Sequence, residues 1–335
     1  MHHQKFVALF RRILSTPTAP FHEYHVAAEI RSSLEAMPHV SFKTDDYGNI
    51  IAQYRHGKGR AKLAFAAHMD HPGWVKHGGE NVFLGGVPAE RLDTHPVEWF
   101  GTLSDPHAES FGMWKLKPFE IKDGIIHSRV CDDLIGCAAI LALFSELEAN
   151  EIDANVYGLF TRAEEVGFCG AVAMGKKWPL PKGVRFVSLE TSAPRGGKEI
   201  GDGPVVRVGD AMSVFDDEIT AELIDAGKAE KIPYQRALLD GGSCEATAMN
   251  LLGVPAAGIS VLLGNYHNCP PKKGIAEEFV SLNDAKNLVK LIYATTVRLA
   301  AAGRKDSSKA ALKKRLAKRY SEHEKYRKAA DKHWS

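Results

Sequence analysis

The sequence predicts an α/β fold: a mostly parallel central sheet flanked by helices, a small β-rich inserted domain, and a basic helix at the C-terminus. Three observations predict it. Short, almost wholly apolar runs at 63–67, 155–160, 184–189 and 256–262 alternate with longer stretches whose apolar residues repeat at helical spacing. Residues 76–127 break that alternation with brief β-prone pieces among Gly, Pro and His. From Arg304 onward the chain is dominated by Lys and Arg.

The elements follow in order. Residues 6–14 are apolar at helical spacing, and Pro17 and Pro20 stand in the segment that ends them. A second helix is expected over about 23–37. Asp45, Asp46, Gly48 and Asn49 form a turn signal ahead of a strand at 50–54. The buried strand at 63–67 delivers His68, Met69 and Asp70 at its carboxyl end. Within 76–127, strand-like pieces fall at 97–100, 115–121 and 124–126. His71, His77, His95, His107 and His127 lie in or beside this stretch, each by itself a surface or packing histidine.

Asp132 and Asp133 precede 134–149, which is apolar almost all round and reads as a helix inside a large core. The strand at 155–160 opens onto Glu164 and Glu165, with Gly167 and Gly170 just beyond. Side chains alternate along extended backbone, so the two adjacent acids should face different ways and hold different tasks. A helix begins near Gly170. The strand at 184–189 ends in Glu190, and the strand at 256–262 leads to His267. A helix over 283–301 closes the core. The expected organisation is a discontinuous core of 1–75 and 128–303, an insertion of 76–127, and a terminal helix of 304–335.

Composition is that of an ordinary globular chain, 44% apolar and 25% charged over 335 residues. Five cysteines, an odd number with no Cys-x-x-Cys pair, are expected to be reduced. No apolar run is long enough for a signal peptide or a membrane span. The expectation is a soluble cytoplasmic protein with no membrane partner.

His68, Glu164, Glu165, Glu190 and His267 all stand at carboxyl ends of strands, where ligands gather in parallel sheets. We therefore take His68, Asp132, Glu165, Glu190 and His267 as candidate metal ligands. Two imidazoles and three carboxylates suit a pair of divalent ions, Zn first, with Co or Mn as alternatives. If Asp132 bridges, His68 and Glu190 complete one position while Glu165 and His267 complete the other. Such a pair lowers the pKa of a shared water and stabilises the oxyanion formed by its attack on a carbonyl. Glu164 is then the candidate general base. Asp70 is the candidate orienter of the His68 ring. The competing readings are a solvated Glu pair, a helix cap at Asp132–Asp133, and a loop acid at Glu190.

At these residues the chain resembles the glutamyl and deblocking aminopeptidase family of co-catalytic metallopeptidases, which includes the tetrahedral aminopeptidases. His68-Met69-Asp70 is similar to its H-x-D. Asp132 to Gly136 is similar to its D-D-x-x-G, and Glu164 to Ala171 to its E-E-V-G-x-x-G-A. The resemblance runs from about residue 6 to 300. It implies a zinc-exopeptidase-like fold and release of N-terminal residues from short peptides. It further implies a bridging Asp132 joined to Asp133 by a cis peptide, and a homo-oligomer. Three departures accompany it. The insertion is shorter than the family's second domain, and Gly241 to Ala246 matches the family's G-G-T-D-A only loosely. Glu190 stands where the family usually has Asp, and in the wider clan Glu at this place accompanies aminopeptidases less often than carboxypeptidases and N-acyl amino acid amidohydrolases. Those activities form the enzymatic alternative.

Residues 304–335 hold twelve Lys or Arg against four Asp or Glu. Leu312, Leu316 and Tyr320 recur every four residues, a pattern that Ala330 and Trp334 extend. The expectation is an amphipathic helix packing its apolar stripe on the core or on another subunit. Nucleic acid is the alternative partner of its basic face, and a non-catalytic RNA-binding protein is the alternative from outside enzymology.

Overall fold

The computed structural model describes residues 2–301 and 308–330, the last three by backbone alone. In chain order the strands are β1 (Val40–Thr44), β2 (Ile50–Arg55), β3 (Leu63–His68), β4 (Gly73–His77) and β5 (Glu80–Leu84). There follow β6 (Val97–Phe100), β7 (Phe111–Trp114), β8 (Glu120–Lys122), β9 (Ile125–Ser128) and β10 (Asn155–Thr161). The last are β11 (Arg185–Ser192), β12 (Val205–Gly209), β13 (Gln235–Leu238), β14 (Ala256–Gly264) and β15 (Glu278–Ser281). The helices are α1 (His3–Leu14), α2 (Tyr24–Glu35), α3 (Leu134–Ala149) and α4 (Cys169–Lys176), then α5 (Asp217–Ala229), α6 (Glu245–Leu251), α7 (Leu282–Ala301) and α8 (Ser308–Ala330).

Among the described residues, eleven strands form one large sheet in the order β1-β2-β10-β3-β11-β14-β15-β9-β8, with β12 against β14 and β13 beyond it. The four central strands β10, β3, β11 and β14 are mutually parallel, and their neighbours on both sides are antiparallel. The centre is parallel because each of its strands is covered on both faces, which suits continuous apolar runs. β3 is buried along its whole length.

Helix α3 lies against this centre. Its apolar residues are spread all round the axis, so twelve residues, Gly136 among them, are buried, and each large apolar one contributes about 1.5–3 kcal/mol by leaving water. Gly136 in its first turn permits close approach: a Cβ there would come within 2.8 Å of the Ala67 side chain on β3. That contact sets the start of α3 directly against the end of β3.

The segment 76–127 contributes to both sheets. A separate antiparallel sheet, β5-β4-β7-β6, is closed over Trp74, Phe83 and Trp114, whose rings pack edge to face. The piece expected as a strand over 115–121 is mostly not one: β7 has already ended at Trp114, and only β8, from Glu120 on, enters it and pairs with β9. β8 and β9 then join the edge of the large sheet through β15. β1 and β15, which the sequence reading left unassigned, are both short and only partly apolar.

Helix α8 is present, and within the chain its expected stripe does not pack on the core: Leu312, Leu316 and Tyr320 are exposed. Arg304 and Trp334 lie outside the described residues. All five cysteines are free. Among the described residues no helix is long and apolar enough to cross a membrane.

Candidate metal centre

Because the four central strands run parallel, their carboxyl ends share one rim of the sheet. β3 ends at His68, which pairs in register with Thr161, the last residue of β10. The turn after Thr161 therefore carries Glu164 and Glu165 over the rim beside His68. Glu190 lies on β11 opposite Ser260 of β14, and the turn beyond β14 supplies His267. Asp132 arrives from the helix side. Asp133 caps α3 by accepting from the Gly136 amide at 3.1 Å, and a cis peptide joins it to Asp132.

Two groups of donors result: His68, Glu164 and Glu190, and Asp132, Glu165 and His267. Asp132 reaches toward both. Its Oδ1 lies 3.4 Å from His68 Nε2, and its Oδ2 lies 3.7 Å from His267 Nε2. Glu165 Oε2 is 3.1 Å from His267 Nε2. Glu164 Oε2 and Glu190 Oε2 are 4.0 and 3.9 Å from His68 Nε2. Thus the five expected donors and the expected base all converge. The second group has the expected members. The first brings in Glu164 beside His68 and Glu190.

The ring nitrogens define what this pocket needs. His267 Nδ1 faces the Gly86 carbonyl at 2.9 Å, and His68 Nδ1 faces the Asp70 carbonyl at 3.1 Å. With those nitrogens donating, each Nε2 turns a lone pair toward carboxylate oxygens. Lone pairs facing each other in a buried site call for positive charge between them, supplied by protons on the rings or by metal ions. The orphaned atoms agree: Asp132 Oδ1, Glu165 Oε1 and His267 Nε2 are buried without a hydrogen-bond partner. A pair of divalent ions fits these donors.

The electrostatics express the same demand. Burial by itself disfavours a charged His68, yet Glu164, Asp132 and Asp70 carry its pKa well above the ordinary value. Burial likewise opposes protonation of His267, while Glu165 and Asp132 push it up to about 10. Burial lifts Glu190 to about 7, with Asp132 adding to it and His68 opposing. Burial and the neighbouring Glu190 lift Glu245, whose two carboxylate oxygens are both orphaned, to about 8.

A further set of acids holds the site by accepting from backbone. Asp70, fully buried, accepts from the Glu164 and Glu165 amides at 2.9 and 3.0 Å. Its carboxylate is 3.5 Å from His68 Nδ1, so its main contacts fix the Glu pair, and the ring rests on its carbonyl. Glu278 on β15 accepts from the Cys131, Asp132 and His267 amides at 2.7, 3.1 and 2.9 Å. Glu23 accepts from Ala163 N at 3.0 Å and Arg162 Nε at 2.8 Å. Ala163 and His267 both hold positive φ, 52° and 53°, a conformation costing about 1–3 kcal/mol that persists only where the surroundings impose it. Glu23 and Glu278 impose it through those amides. Gly170 admits the same turn, since a Cβ there would meet the Arg162 carbonyl at 2.5 Å.

Glu278 and Glu23 were not singled out in the sequence. Glu278 opens a four-residue strand that is only partly apolar, so neither it nor Glu23 carries a local signal. His71, expected as a packing histidine, is fully buried and bridges the Asp132 carbonyl at 2.7 Å and Asn268 Oδ1 at 3.0 Å.

A cleft of about 100 Å³ opens beside the donors and is lined by Thr191, Ser192, Arg195, Arg207, Ser243 and Tyr266. Arg207 is 97% buried, its Nε has no hydrogen-bond partner, and its guanidinium lies 5.6 Å from the Phe215 ring centre. Arg195 is exposed at the mouth.

The sequence profile described as M42 glutamyl aminopeptidase matches residues 108–291. Among curated proteins, one from Acetivibrio thermocellus, whose description as an aminopeptidase is itself provisional, is 28% identical over 171 residues. That match covers 49% of this chain and 49% of the relative, so the chain spans about half the length of this curated relative. Among solved structures, a TET aminopeptidase from a marine-sediment Thaumarchaeota archaeon shares the fold with a TM-score of 0.74 at 19% identity, covering 89% of this chain and 98% of its own. The TET1 peptidase of Pyrococcus horikoshii, described as assembling into a tetrahedron or a large octahedral shell, gives 0.70 at 22% identity, covering 87% and 99%. These likenesses concern the fold.

Proposed function

The chain belongs to the M42 glutamyl aminopeptidase family, and we propose that it is a di-metal aminopeptidase releasing N-terminal residues from short peptides. The observation that carries the reading is the convergence of two imidazole lone pairs and three orphaned or half-satisfied carboxylates around one buried space. His68, Asp132 and Glu190 would hold one ion, and Asp132, Glu165 and His267 the other, with Zn first among Zn, Co and Mn. Bound there, the ions would polarise the scissile carbonyl and make the attacking water more acidic.

The remaining steps belong to side chains of this chain. Glu164 would take a proton from the attacking water on Oε2 and pass it to the leaving nitrogen, since it projects between His68 and the cleft. Asp70 would keep Glu164 and Glu165 in place through their amides. Arg207 and Arg195 would receive a carboxylate, so peptides with an N-terminal acidic residue should be the preferred substrates. A homo-oligomer is part of the same proposal, supported by the assembly described for the TET1 relative.

Digestion of a free and N-acetylated peptide library with Zn, Co and Mn in parallel tests the reading. Release of N-terminal acidic residues from free peptides is expected. Activity confined to N-blocked peptides, or release from the carboxyl end, would replace it with the amidohydrolase or carboxypeptidase alternative.

A further inference from the structure

Helix α8 carries nine Lys or Arg and two Glu in 23 residues, and it lies beyond residue 291, where the family match ends. It touches the core at its first turn, where Lys309 pairs with Asp217 and the Ser308 amide donates to Asp225 Oδ2 at 2.9 Å. Beyond that turn nearly every described side chain is exposed. We propose that α8 is a binding arm for single-stranded nucleic acid, with Tyr320 and Tyr326 as stacking platforms.

Charge complementarity selects the partner. At about 100° per residue, Lys313, Lys314 and Arg315 point in three directions, and Lys318 and Arg319 add to two of them. A polyanion that can wrap the helix meets phosphate-binding groups on every side. A helix that lies embedded in an anionic membrane surface buries a continuous apolar face, and this helix lacks one. Lys309 falls within the arc of Leu312, Leu316 and Tyr320, and Lys313 and Arg319 border it. The tyrosines distinguish single strands from duplexes, because unpaired bases offer a free face to a ring. Tyr320 is 68% exposed and Tyr326 is 61% exposed. Lys325 stands 5.0 Å from the Tyr326 ring centre, so a stacked base would have a cation beside it. A helix of this length spans about 35 Å, enough for several nucleotides.

The test uses the full chain, a fluorescein-labelled uridine 20-mer, a 20-base-pair duplex and phosphatidylserine vesicles. Anisotropy at 50 to 200 mM KCl should show binding of the 20-mer, with log K falling against log salt at a slope of about −3 to −4 if five phosphates are engaged. Replacing Lys313, Lys314, Arg315, Lys318 and Arg319 together by Gln, which keeps helix propensity, should weaken binding at least about 30-fold and flatten the slope. Peptidase kcat/KM of that variant should equal the parent's. Tyr320→Ala with Tyr326→Ala should weaken the single strand about tenfold or more and leave duplex binding and the salt slope unchanged. The proposal is overturned by absence of oligonucleotide binding at 50 mM KCl, by equal binding of the Gln variant, or by retention on vesicles alone. Self-association through α8 in place of oligonucleotide binding would overturn it too.

Discussion

The acid-rich rim of the sheet and the base-rich helix α8 both concentrate charge, but of opposite sign and with opposite exposure to water. At the rim, Asp70, Asp132, Glu190 and Glu278 are almost wholly buried. Asp70 and Glu278 accept from amides at 2.7–3.1 Å, and the mutual repulsion of the four is relieved by imidazoles and by the cations the site would hold. On α8 the charges are solvated, and the neighbouring groups exert little force on one another. The difference teaches that a charge acquires chemical meaning from the water it has lost. A buried carboxylate constrains its neighbours by several kcal/mol, whereas an exposed lysine acts through long-range attraction that salt screens.

Four variants sharpen or break this contrast, beginning with the largest effect. Glu164→Gln should lower kcat by about 10²–10⁴-fold while the protein still retains two metal ions by elemental analysis, because a proton carrier is lost and the five other donors remain. Parental turnover in that variant would remove Glu164 from the proposed role. Next, Glu278→Gln should weaken metal affinity about 10–100-fold in chelator competition, since a group with one acceptor oxygen must serve three amides. Undiminished affinity would mean that the backbone at Asp132 and His267 holds its form without Glu278.

A smaller and more selective effect is expected at Arg207. Arg207→Met should raise KM for peptides with an N-terminal Glu by about 10–100-fold, the loss of a charge-assisted hydrogen bond, and spare peptides with an N-terminal Leu. Equal losses on both would make Arg207 a structural cation. The smallest effect belongs to α8. The five-residue Gln variant should shift unfolding stability by no more than about 0.5 kcal/mol in denaturant titration, as expected for exposed substitutions. A larger destabilisation would show that α8 packs on the core, and the contrast drawn above would lose its second half.

Much of the site was legible in the chain because the donors announce themselves locally. His68, Glu164, Glu165 and Glu190 each follow an apolar run, and parallel strands place their ends together. Asp132 was legible for a related reason, standing just ahead of a helix apolar on every side. The strand bounds around 115–121 were harder to read, since β7 and β8 on either side of 115–119 are four and three residues long and belong to different sheets. The stripe on α8 was legible as a spacing, and the structure shows that spacing without burial leaves it exposed.

What could be known from residue order alone was the set of chemical groups and the end of the sheet at which they would meet, because both follow from periodicity and strand direction within a few residues. The fold supplied the rest: Glu278 held against Asp132 across 146 positions, Glu23 against Ala163 across 140, and Arg207 brought, buried, to the wall of the cleft. Those partnerships depend on which surfaces exclude water once the chain is packed. Exclusion of water is a property of the whole core, and no local stretch of sequence encodes it.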